Sequence, residues 1–497
     1  MWALLGAAFS CVMSAEDVSV VYKGAGWLQF GRVEHSSDTI SNTEANNFNN
    51  NWIQNTGGQI TAVAKISENW EGGLGLGAIQ VSNSRGSLFG AHTWSNQWNP
   101  FVTEARATYS LPLGDKRKLQ LTLGSFPYDY NPDIRNFGLY LTRGHVYPGT
   151  LFSGFETKHI LPIATQVGGL ARIQWGGFQN DLLLNSETET KPYFDFSLLD
   201  IANYQVTSWL QVGAGVNFYR LVEQNSKVTS PGTECITQLS TYQDGQTGNN
   251  DEKCYVLDTV YARVARVDTS VAYKYDAAGA VALDSALRFT PIVDSTVVDT
   301  VTGSMSGIKL MASFHLDPKG FFGSNGPFGK EDWILYGEAA ILGLKNYPKY
   351  YEDIWQRMPV MVGLNLPAFG LLTKFTFEIE YFGSRNYADY GNTETNGSWV
   401  PRRIPGSTVF ETTQPTSFNG NSYNKVSTWR DADNVRNDWK WSLYASRVLM
   451  GHLKIAIQAA SDHLVLPSPP AAQDPSWAEV LTTPKDWYWM CKLAYFF

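Results

Sequence analysis

The chain ends "PKDWYWMCKLAYFF" (residues 484–497), and this stretch decides the fold. Read with a period of two, one of its faces carries only aromatic or apolar side chains, namely Trp487, Trp489, Cys491, Leu493, Tyr495 and Phe497. A soluble protein normally protects a terminal strand with charge, because a bare hydrophobic edge promotes aggregation. The unprotected strand therefore predicts a closed barrel, in which the last strand pairs with the first one around Trp27 to Glu34 and its aromatic side chains face lipid.

Composition narrows the class of protein. Of the 497 residues, 14% are aromatic and only 17% are charged, where about a quarter is usual. The net charge of -8 argues against a nucleic-acid partner, which requires a basic surface. After the first dozen positions there is no run of about 18 apolar residues, so no helical membrane span is predicted. These features fit a membrane barrel and, equally, a β-rich secreted enzyme.

The N-terminus indicates export. In "MWALLGAAFSCVMSAEDVSV" an apolar run is followed by small residues, which predicts a signal peptide over residues 1–15 with cleavage after Ala15. The basic region that usually precedes such a run is missing, which leaves the true start of the signal open. Residues 16–497 are then expected to form one barrel domain. Cys235 and Cys254 flank a polar stretch and are expected to form a disulfide in an oxidising compartment.

The rest of the chain alternates at strand period. In "KFTFEIEYF" (374–382), Phe375, Phe377, Ile379 and Tyr381 alternate with Lys374, Thr376, Glu378 and Glu380. A soluble sandwich produces the same pattern, but the connections distinguish the two. Short turns such as "NWEGG" (69–73) alternate with long polar segments, notably 128–162, 222–304 and 385–438, as periplasmic turns and extracellular loops do.

The pattern predicts an all-β fold, a transmembrane antiparallel up-and-down barrel of about 16 strands with both ends on the periplasmic side. The predicted strands span 25–34, 57–68, 72–83, 101–112, 117–127, 163–175, 177–188, 192–204, 209–221, 305–316, 333–345, 356–366, 373–384, 439–449, 452–464 and 485–497. The segment from Tyr255 to Thr300 fits either strands within a long loop or one more spanning hairpin. The alternative count is therefore 18.

Charged residues on the polar strand faces are the candidate pore lining, because a charge facing lipid at the bilayer midplane costs roughly 2 to 4 kcal/mol. They are Lys65, Glu104, Arg106, Arg172, Lys309, Glu338, Lys374, Glu378, Glu380, Lys454 and Asp462. Both signs occur, which predicts weak ion selectivity. The alternative is an ion-paired, closed interior. Gly73, Gly75 and Gly77 fit either a subunit contact on the outer wall or a stripe facing the lumen.

Two resemblances add to this pattern. The terminal strand with Tyr495 and Phe497 resembles the signal by which the barrel-assembly machinery recognises outer-membrane proteins. "LYLTRGHVYPGTLFSGF" (139–155), "LYGEAAILGLKNYPKYYEDIWQRMPVMVGLNLPAFGLL" (335–372), "FEIEYFGS" (377–384) and "NDWKWSLYAS" (437–446) resemble porin-like outer-membrane proteins of fibrobacteria. This second resemblance covers most of the chain from about residue 100 to residue 497. It implies a barrel and a channel, and it transfers no catalytic motif.

The third predicted extracellular loop, 128–162, is the candidate constriction, since porins fold a segment from this position into the channel. Its apolar parts "NFGLYL" and "GTLF" must pack against protein rather than extend into solvent. The candidate charges on it are Asp129, Asp133, Arg135, Arg143 and Glu156. The alternative is that the loop packs on the barrel rim as a lid.

The expected function is passive diffusion of small hydrophilic solutes or ions through an outer-membrane channel of a Gram-negative cell. The alternative is an adhesin or polysaccharide-binding barrel with a closed lumen, using Trp94, Trp98, Trp355, Trp399 and Trp429. The seven His show no metal-ligand spacing and no nucleophile elbow occurs, so no enzyme, metal or cofactor is expected. The expected partners are outer-membrane lipid and lipopolysaccharide, the assembly machinery, and further copies in a homotrimer.

Overall fold

A computed structural model describes the chain in segments. They are residues 18–36, 49–85, 98–114, 116–143, 151, 153–154, 165–188, 194–222, 233–241, 247–257, 262–264, 274–275, 281–282, 306–322, 328–344, 354–383, 439–467, 477–479, 481 and 483–497. The predicted signal peptide, Glu156, Trp94, Trp399 and Trp429 lie outside these segments.

Sixteen antiparallel strands form one closed barrel, which confirms the predicted fold and strand count. Each predicted strand overlaps one of them. They are β1 (Ser19–His35), β2 (Asn51–Lys65), β3 (Trp70–Arg85), β4 (Asn99–Pro112), β5 (Arg117–Pro127), β6 (Thr165–Trp175), β7 (Phe178–Ser186), β8 (Phe196–Thr207), β9 (Leu210–Val222), β15 (Gly307–Leu316), β16 (Leu335–Ile341), β17 (Val360–Asn365), β18 (Lys374–Tyr381), β19 (Trp439–Leu449), β20 (Leu453–Ser461) and β23 (Trp487–Phe496).

The described strands of the segment that left the count open do not belong to the barrel wall. They belong to a three-stranded sheet of β10 (Thr233–Thr241), β11 (Thr247–Leu257) and β12 (Ala262–Val264), and to a pair of β13 (Lys274–Tyr275) and β14 (Val281–Ala282). The alternative of 18 spanning strands is therefore wrong. The backbone register sets Cys235 opposite Cys254, and the disulfide between them stays a prediction. A further pair, β21 (Val465–Pro467) and β22 (Trp477–Glu479), lies between β20 and β23.

The last strand closes the barrel against the first. β23 pairs with β1 from Ala25↔Phe496 to His35↔Trp487, with one irregularity near residues 33–35. The final residue extends this seam, since Gly24 N donates to Phe497 O at 3.0 Å and Phe497 N donates to Gly24 O at 3.1 Å. A Cβ on Gly24 would lie 2.1 Å from Phe497 Cζ, so the absence of a side chain there makes room for the terminal ring.

Connections of different length lie at opposite ends of the barrel. The end of the barrel that contains the first residue of β1 and the last residue of β23 is called the turn end. The connections at this end are 66–69, 113–116, 176–177, 208–209, 317–334, 366–373 and 450–452. The longest of them contains a short helix, Lys319–Phe322. The opposite end, which we call the loop end, contains the strand ends that flank the long segments, and a 3₁₀ turn, Ile354–Arg357. Among the described residues, no helix has the length and hydrophobicity needed to cross a membrane.

The two faces of the wall differ as alternation predicts. On β18, Lys374, Thr376, Glu378 and Glu380 are buried inside, and Phe377 and Tyr381 are exposed outside. β23 shows the same alternation: Tyr488, Met490, Lys492 and Ala494 are buried, whereas Leu493 and Tyr495 are exposed. The wall is therefore apolar outside and polar inside.

The glycine stripe on β3 belongs to the inner face. A Cβ on Gly73 would lie 2.7 Å from Glu104 Oε1, and a Cβ on Gly75 would lie 3.2 Å from Glu104 Cγ. Glu104 itself is buried inside the barrel. Of the two interpretations of this stripe, the one that places it towards the lumen is right, and the glycines make room there for the Glu104 side chain.

Candidate functional site

A loop folded into the barrel is the central feature of the interior. Residues 128–143, which we call the inserted loop, leave the end of β5 and turn inward instead of covering the rim. Their apolar side chains and the inward residues of β6–β8, β15 and β16 form one buried cluster, with Ile134, Phe137, Leu139, Tyr140 and Leu141 from the loop and Leu170, Leu183, Leu199, Ile201, Met311 and Tyr336 from the wall. The apolar side chains of this part of the loop therefore pack against the inner face of the wall.

Glu378 is the principal anchor of the loop. Its carboxylate, 1% exposed, accepts hydrogen bonds from the backbone N–H groups of Arg135 (2.7 Å), Asn136 (2.7 Å) and Phe137 (3.1 Å). The Tyr336 hydroxyl donates to the same carboxylate at 2.7 Å. Four donors satisfy a buried charge that would otherwise be strongly unfavourable.

Glu338 and Glu380 hold the next turn of the loop. Glu338 Oε1 accepts from Tyr140 N and from the Tyr130 hydroxyl, both at 2.8 Å. The Tyr140 hydroxyl donates to Glu380 Oε2 at 2.6 Å. Burial, together with the neighbouring carboxylate, raises the pKa of both phenols well above its usual range, so both hydroxyls stay protonated and remain donors.

Asn136 connects the inserted loop to the loop end of β20. Its side-chain amide donates to Asp462 Oδ2 at 2.6 Å and its Oδ1 accepts from Gly154 N at 2.9 Å. His463 Nε2 lies 2.5 Å from Glu380 Oε1, and His463 N donates to Ser153 Oγ at 2.7 Å. The segment that begins at Tyr128 is therefore attached to β16, β18 and β20, on the side of the barrel opposite its origin in β5.

The charged residues predicted on this loop occupy different environments. Arg143 is buried and its Nη1 donates to the Asn136 carbonyl within the loop, so it acts as a brace. Asp133 Oδ2 lies 2.6 Å from His315 Nδ1 on β15. Asp129 Oδ1 accepts from Asn131 N at 3.0 Å, and the Arg135 side chain is half-buried. Glu156 lies outside the described residues.

Four of the predicted pore-lining residues, Glu104, Arg106, Arg172 and Lys374, form ion pairs. Arg106 reaches Glu71 at 2.7 Å and Glu104 at 3.2 Å, and Lys374 reaches Glu331 at 3.3 Å. Arg172 binds both oxygens of Asp181 at 2.7 Å, which a planar guanidinium does well.

The remaining lysines have other surroundings. Lys309 is fully buried with its Nζ 4.5 Å from the centre of the Tyr219 ring, and Lys454 Nζ lies 5.7 Å from the centre of the Tyr444 ring. Lys65 is exposed at the turn end, opposite Glu71 in the register. The described interior therefore has both signs of charge, and only some of these charges form ion pairs.

Several residues that hold the loop were not predicted. No alternation in the sequence distinguishes these residues from others. They are Tyr130, Tyr140 and Tyr336, which contribute hydroxyl groups, and Asn136, which contributes its side-chain amide. One clue exists in the sequence: Glu338, Glu378 and Glu380 are three inward acids close to the loop end. Of the residues paired with them in the register, only Lys440, opposite Glu380, is a cation. A cluster of that kind requires donors from elsewhere, and here backbone N–H groups supply them.

Gly363 supports the principal anchor. A Cβ at this position would lie 2.2 Å from Tyr336 Cζ, because the Tyr336 ring lies over Gly363 on the neighbouring strand. We expect Gly363→Val to displace the ring, break its bond to Glu378 and lower the temperature at which the purified protein loses heat-modifiable migration on a gel. Gly58→Ala is the control, since its nearest neighbour, Ala25 O, would be 3.4 Å from the new Cβ. Equal midpoints for both variants would contradict this assignment.

Within the described residues, no group of three or more His, Cys, Asp or Glu is placed to hold a metal ion. Of the tryptophans considered for a polysaccharide site, Trp98 and Trp355 are described, and both are exposed at the loop end.

Comparisons with known proteins found only distant structural similarity. No protein-family model matches the sequence, and no curated relative matches it at a significant level. Among solved structures, a mutant porin of Rh. blastica superposes with a TM-score of 0.37 at 7% identity, covering 96% of this chain and 100% of that one. OprB of Pseudomonas putida gives a TM-score of 0.45 at 10% identity, covering 97% of this chain and 94% of that one. Scores below 0.5 do not bear on function, and the fold assignment depends on the strand pairing of this chain.

Proposed function

We propose that the protein is a porin-like channel of the outer membrane, through which small hydrophilic solutes or ions diffuse passively. The observation that carries this proposal is a loop fixed by buried glutamates inside a closed barrel of 16 strands. A barrel of this size leaves room for water beyond the side chains of its own wall. A loop held at a fixed place inside it narrows that room and gives the passage a defined size.

The apolar outer face and the paired charges inside support the same proposal. Exposed leucine, isoleucine and phenylalanine side chains on the outside of β5–β20 suit contact with lipid. Inside, pairs such as Arg172 with Asp181 leave little net field, so we expect a narrow pore with weak ion preference. Export by the signal peptide, recognition of Tyr495 and Phe497 by the assembly machinery, and long loops on the extracellular side belong to this proposal.

Assembly into a homotrimer is also part of the proposal. On the outer wall, Asn180 donates to Asp200 at 2.6 Å, among apolar neighbours such as Leu182. A carboxyl group at such a position is unfavourable against lipid, and contact with a second copy would remove it from lipid. Cross-linking of the purified protein, followed by a denaturing gel, measures the number of copies.

The direct test is conductance in a planar bilayer. We expect the purified protein to produce discrete, ohmic steps that are smaller than an unobstructed 16-strand lumen would give. The adhesin alternative predicts no steps and binding of polysaccharide through exposed aromatic residues such as Trp355. Recording with and without polysaccharide at the loop end separates the two functions. Absence of conductance would contradict the channel, provided that a heat-modifiability gel shows the protein to be folded.

Arg135 is the loop charge best suited to act on permeating ions, because its side chain is half-buried whereas Arg143 braces the loop. We expect Arg135→Gln to shift the reversal potential in a salt gradient towards cation preference, since it removes fixed positive charge near the passage. The shift should shrink in 1 M salt, where the screening length is about 3 Å. Phe377→Leu on the outer face is the control, and a shift equal to that of Arg135→Gln would contradict the assignment.

A further inference from the structure

A cavity of about 1140 Å³ opens at the turn end, beneath the inserted loop. Its walls are the turn-end parts of β4–β9 with the turns between them, together with Glu68 and Asn69 of the turn before β3. Its roof is Asp129, Tyr130 and Pro132 of the loop. We call it the turn-end vestibule. Pockets that bind small molecules usually enclose about 300–1,000 Å³, so this space accommodates a solute of the size of a short oligosaccharide.

The roof of the vestibule is rigid. The Tyr130 hydroxyl is held by Glu338, and the Tyr128 hydroxyl donates to Asp181 at 3.0 Å. Above it lies the buried cluster of Phe126, Tyr128, Leu170 and Leu183. A solute that enters from the turn end therefore meets a fixed, shaped surface rather than a mobile loop.

The charges that line the vestibule nearly balance. Four cations line it, namely Lys116, Arg117, Lys118 and Arg172, together with the carboxylates of Glu68 and Asp129. Arg172 also binds Asp181, so four positive charges face three negative ones, a net charge of +1. The Arg117 guanidinium stacks on the Trp175 ring at 4.0 Å. So small a net charge gives little selection for an ion of either sign.

Side-chain amides dominate the neutral part of the lining. Six of them surround the space: Asn69, Gln174, Gln179, Asn203, Gln205 and Gln211. Some are used internally, since Gln174 Nε2 donates to Gln179 Oε1 at 3.1 Å and Gln205 Nε2 donates to Thr207 O at 2.6 Å. The side-chain amides of Asn69, Asn203 and Gln211 have no hydrogen-bond partner within the described residues, and each offers both a donor and an acceptor.

We infer that the turn-end vestibule binds a neutral, polyhydroxylated solute, a short oligosaccharide, through the amides of Asn69, Asn203 and Gln211. Hydroxyl groups of a sugar donate and accept at once, and amide side chains match them in both roles without the desolvation cost of a charge. Gly213 leaves space for the Asn203 side chain, because a Cβ at position 213 would lie 2.4 Å from Asn203 Oδ1. The inference deepens the proposed channel function by naming a solute class that this end of the barrel would take up or release.

Saturation-transfer NMR tests this inference without requiring conductance. The probe is maltotriose, added to the whole protein in a zwitterionic detergent that lacks sugar, with the trimers of galacturonate and glucosamine as charged comparisons. We expect transfer to the ring protons of maltotriose with millimolar affinity, and at least tenfold weaker binding of both charged trimers. Asn203→Leu combined with Gln211→Leu should weaken maltotriose binding about tenfold, which corresponds to about 1.4 kcal/mol, because two amides that would bond to the sugar are lost.

The control is Gln54→Leu, which removes an amide from the outer face of β2 and should leave binding unchanged. All variants are first checked for wild-type heat-modifiable migration, so that loss of fold is not mistaken for loss of binding. No transfer to maltotriose from the folded wild type, equal affinity in the double variant, or tighter binding of a charged trimer would each overturn the inference. A protein that conducts but binds no maltotriose would lose only this inference, and one that binds without conducting would lose only the channel.

Discussion

Glu378→Ala is expected to increase single-channel conductance and to lower the thermal stability of the folded protein. The substitution leaves the backbone N–H groups of Arg135, Asn136 and Phe137 and the Tyr336 hydroxyl without their acceptor. Hydrogen bonds to charged groups contribute about 1.5–3 kcal/mol each, so the loop loses its strongest attachment to the wall. With the attachment gone, the loop samples positions away from the wall and the passage widens and fluctuates.

Two further variants test whether the effect on conductance comes from the Glu378 carboxylate. Glu378→Gln keeps the shape and one acceptor oxygen, so its conductance should lie between those of the wild type and Glu378→Ala. Phe377→Leu changes the adjacent residue on the outer face and should leave conductance unchanged. Steps of wild-type size and noise from folded Glu378→Ala would show that Glu378 does not hold the loop in the passage.

Deletion of Tyr495 to Phe497 is expected to abolish insertion into the outer membrane while leaving export intact. The deletion removes the pairs Ala25↔Phe496 and Gly26↔Tyr495 and both backbone bonds between Gly24 and Phe497. It also removes the terminal aromatic residues proposed as the assembly signal. An open seam exposes unpaired backbone groups, which lipid does not satisfy.

The readout is the amount of heat-modifiable protein in the outer-membrane fraction of cells that express the deletion. Phe497→Tyr is the control, because it retains the backbone pairing with Gly24 and an aromatic ring over it. Normal levels of folded protein from the deletion would contradict both the seam and the assembly signal.

The barrel could be predicted because its signal is local. Alternation along β18 and β23 follows from the pleat, and the position of every long connection follows from the parity of strands. Even the location of the inserted loop could be proposed, because "NFGLYL" is too apolar to extend into solvent. The segment around residues 255–300 was ambiguous for the same reason, since short alternating runs do not reveal which sheet they join.

The attachment of the loop could not be predicted, because it depends on contacts between residues that are distant in sequence. Glu378 meets Asn136, and Glu380 meets His463 and Tyr140, only once the barrel has closed. Sequence alone placed Glu378 and Glu380 among pore-lining charges, whereas both are 1% exposed and bound to the loop or its neighbours. Arg143 was likewise predicted as a charge of the constriction, but its guanidinium donates to the Asn136 carbonyl within the loop.

The central claim, that the loop lies inside the barrel against β18 and β20, is tested most directly by cross-linking. Cysteines at Asn136 and Asp462, whose side chains are joined by a 2.6 Å hydrogen bond, are introduced in a background without native cysteines. A short bifunctional thiol reagent should then join them within one chain in high yield, as detected by mass spectrometry after digestion. Absence of this cross-link in folded protein, together with rapid labelling of residue 136 by a bulky impermeant maleimide, would place the loop outside the barrel and contradict the account.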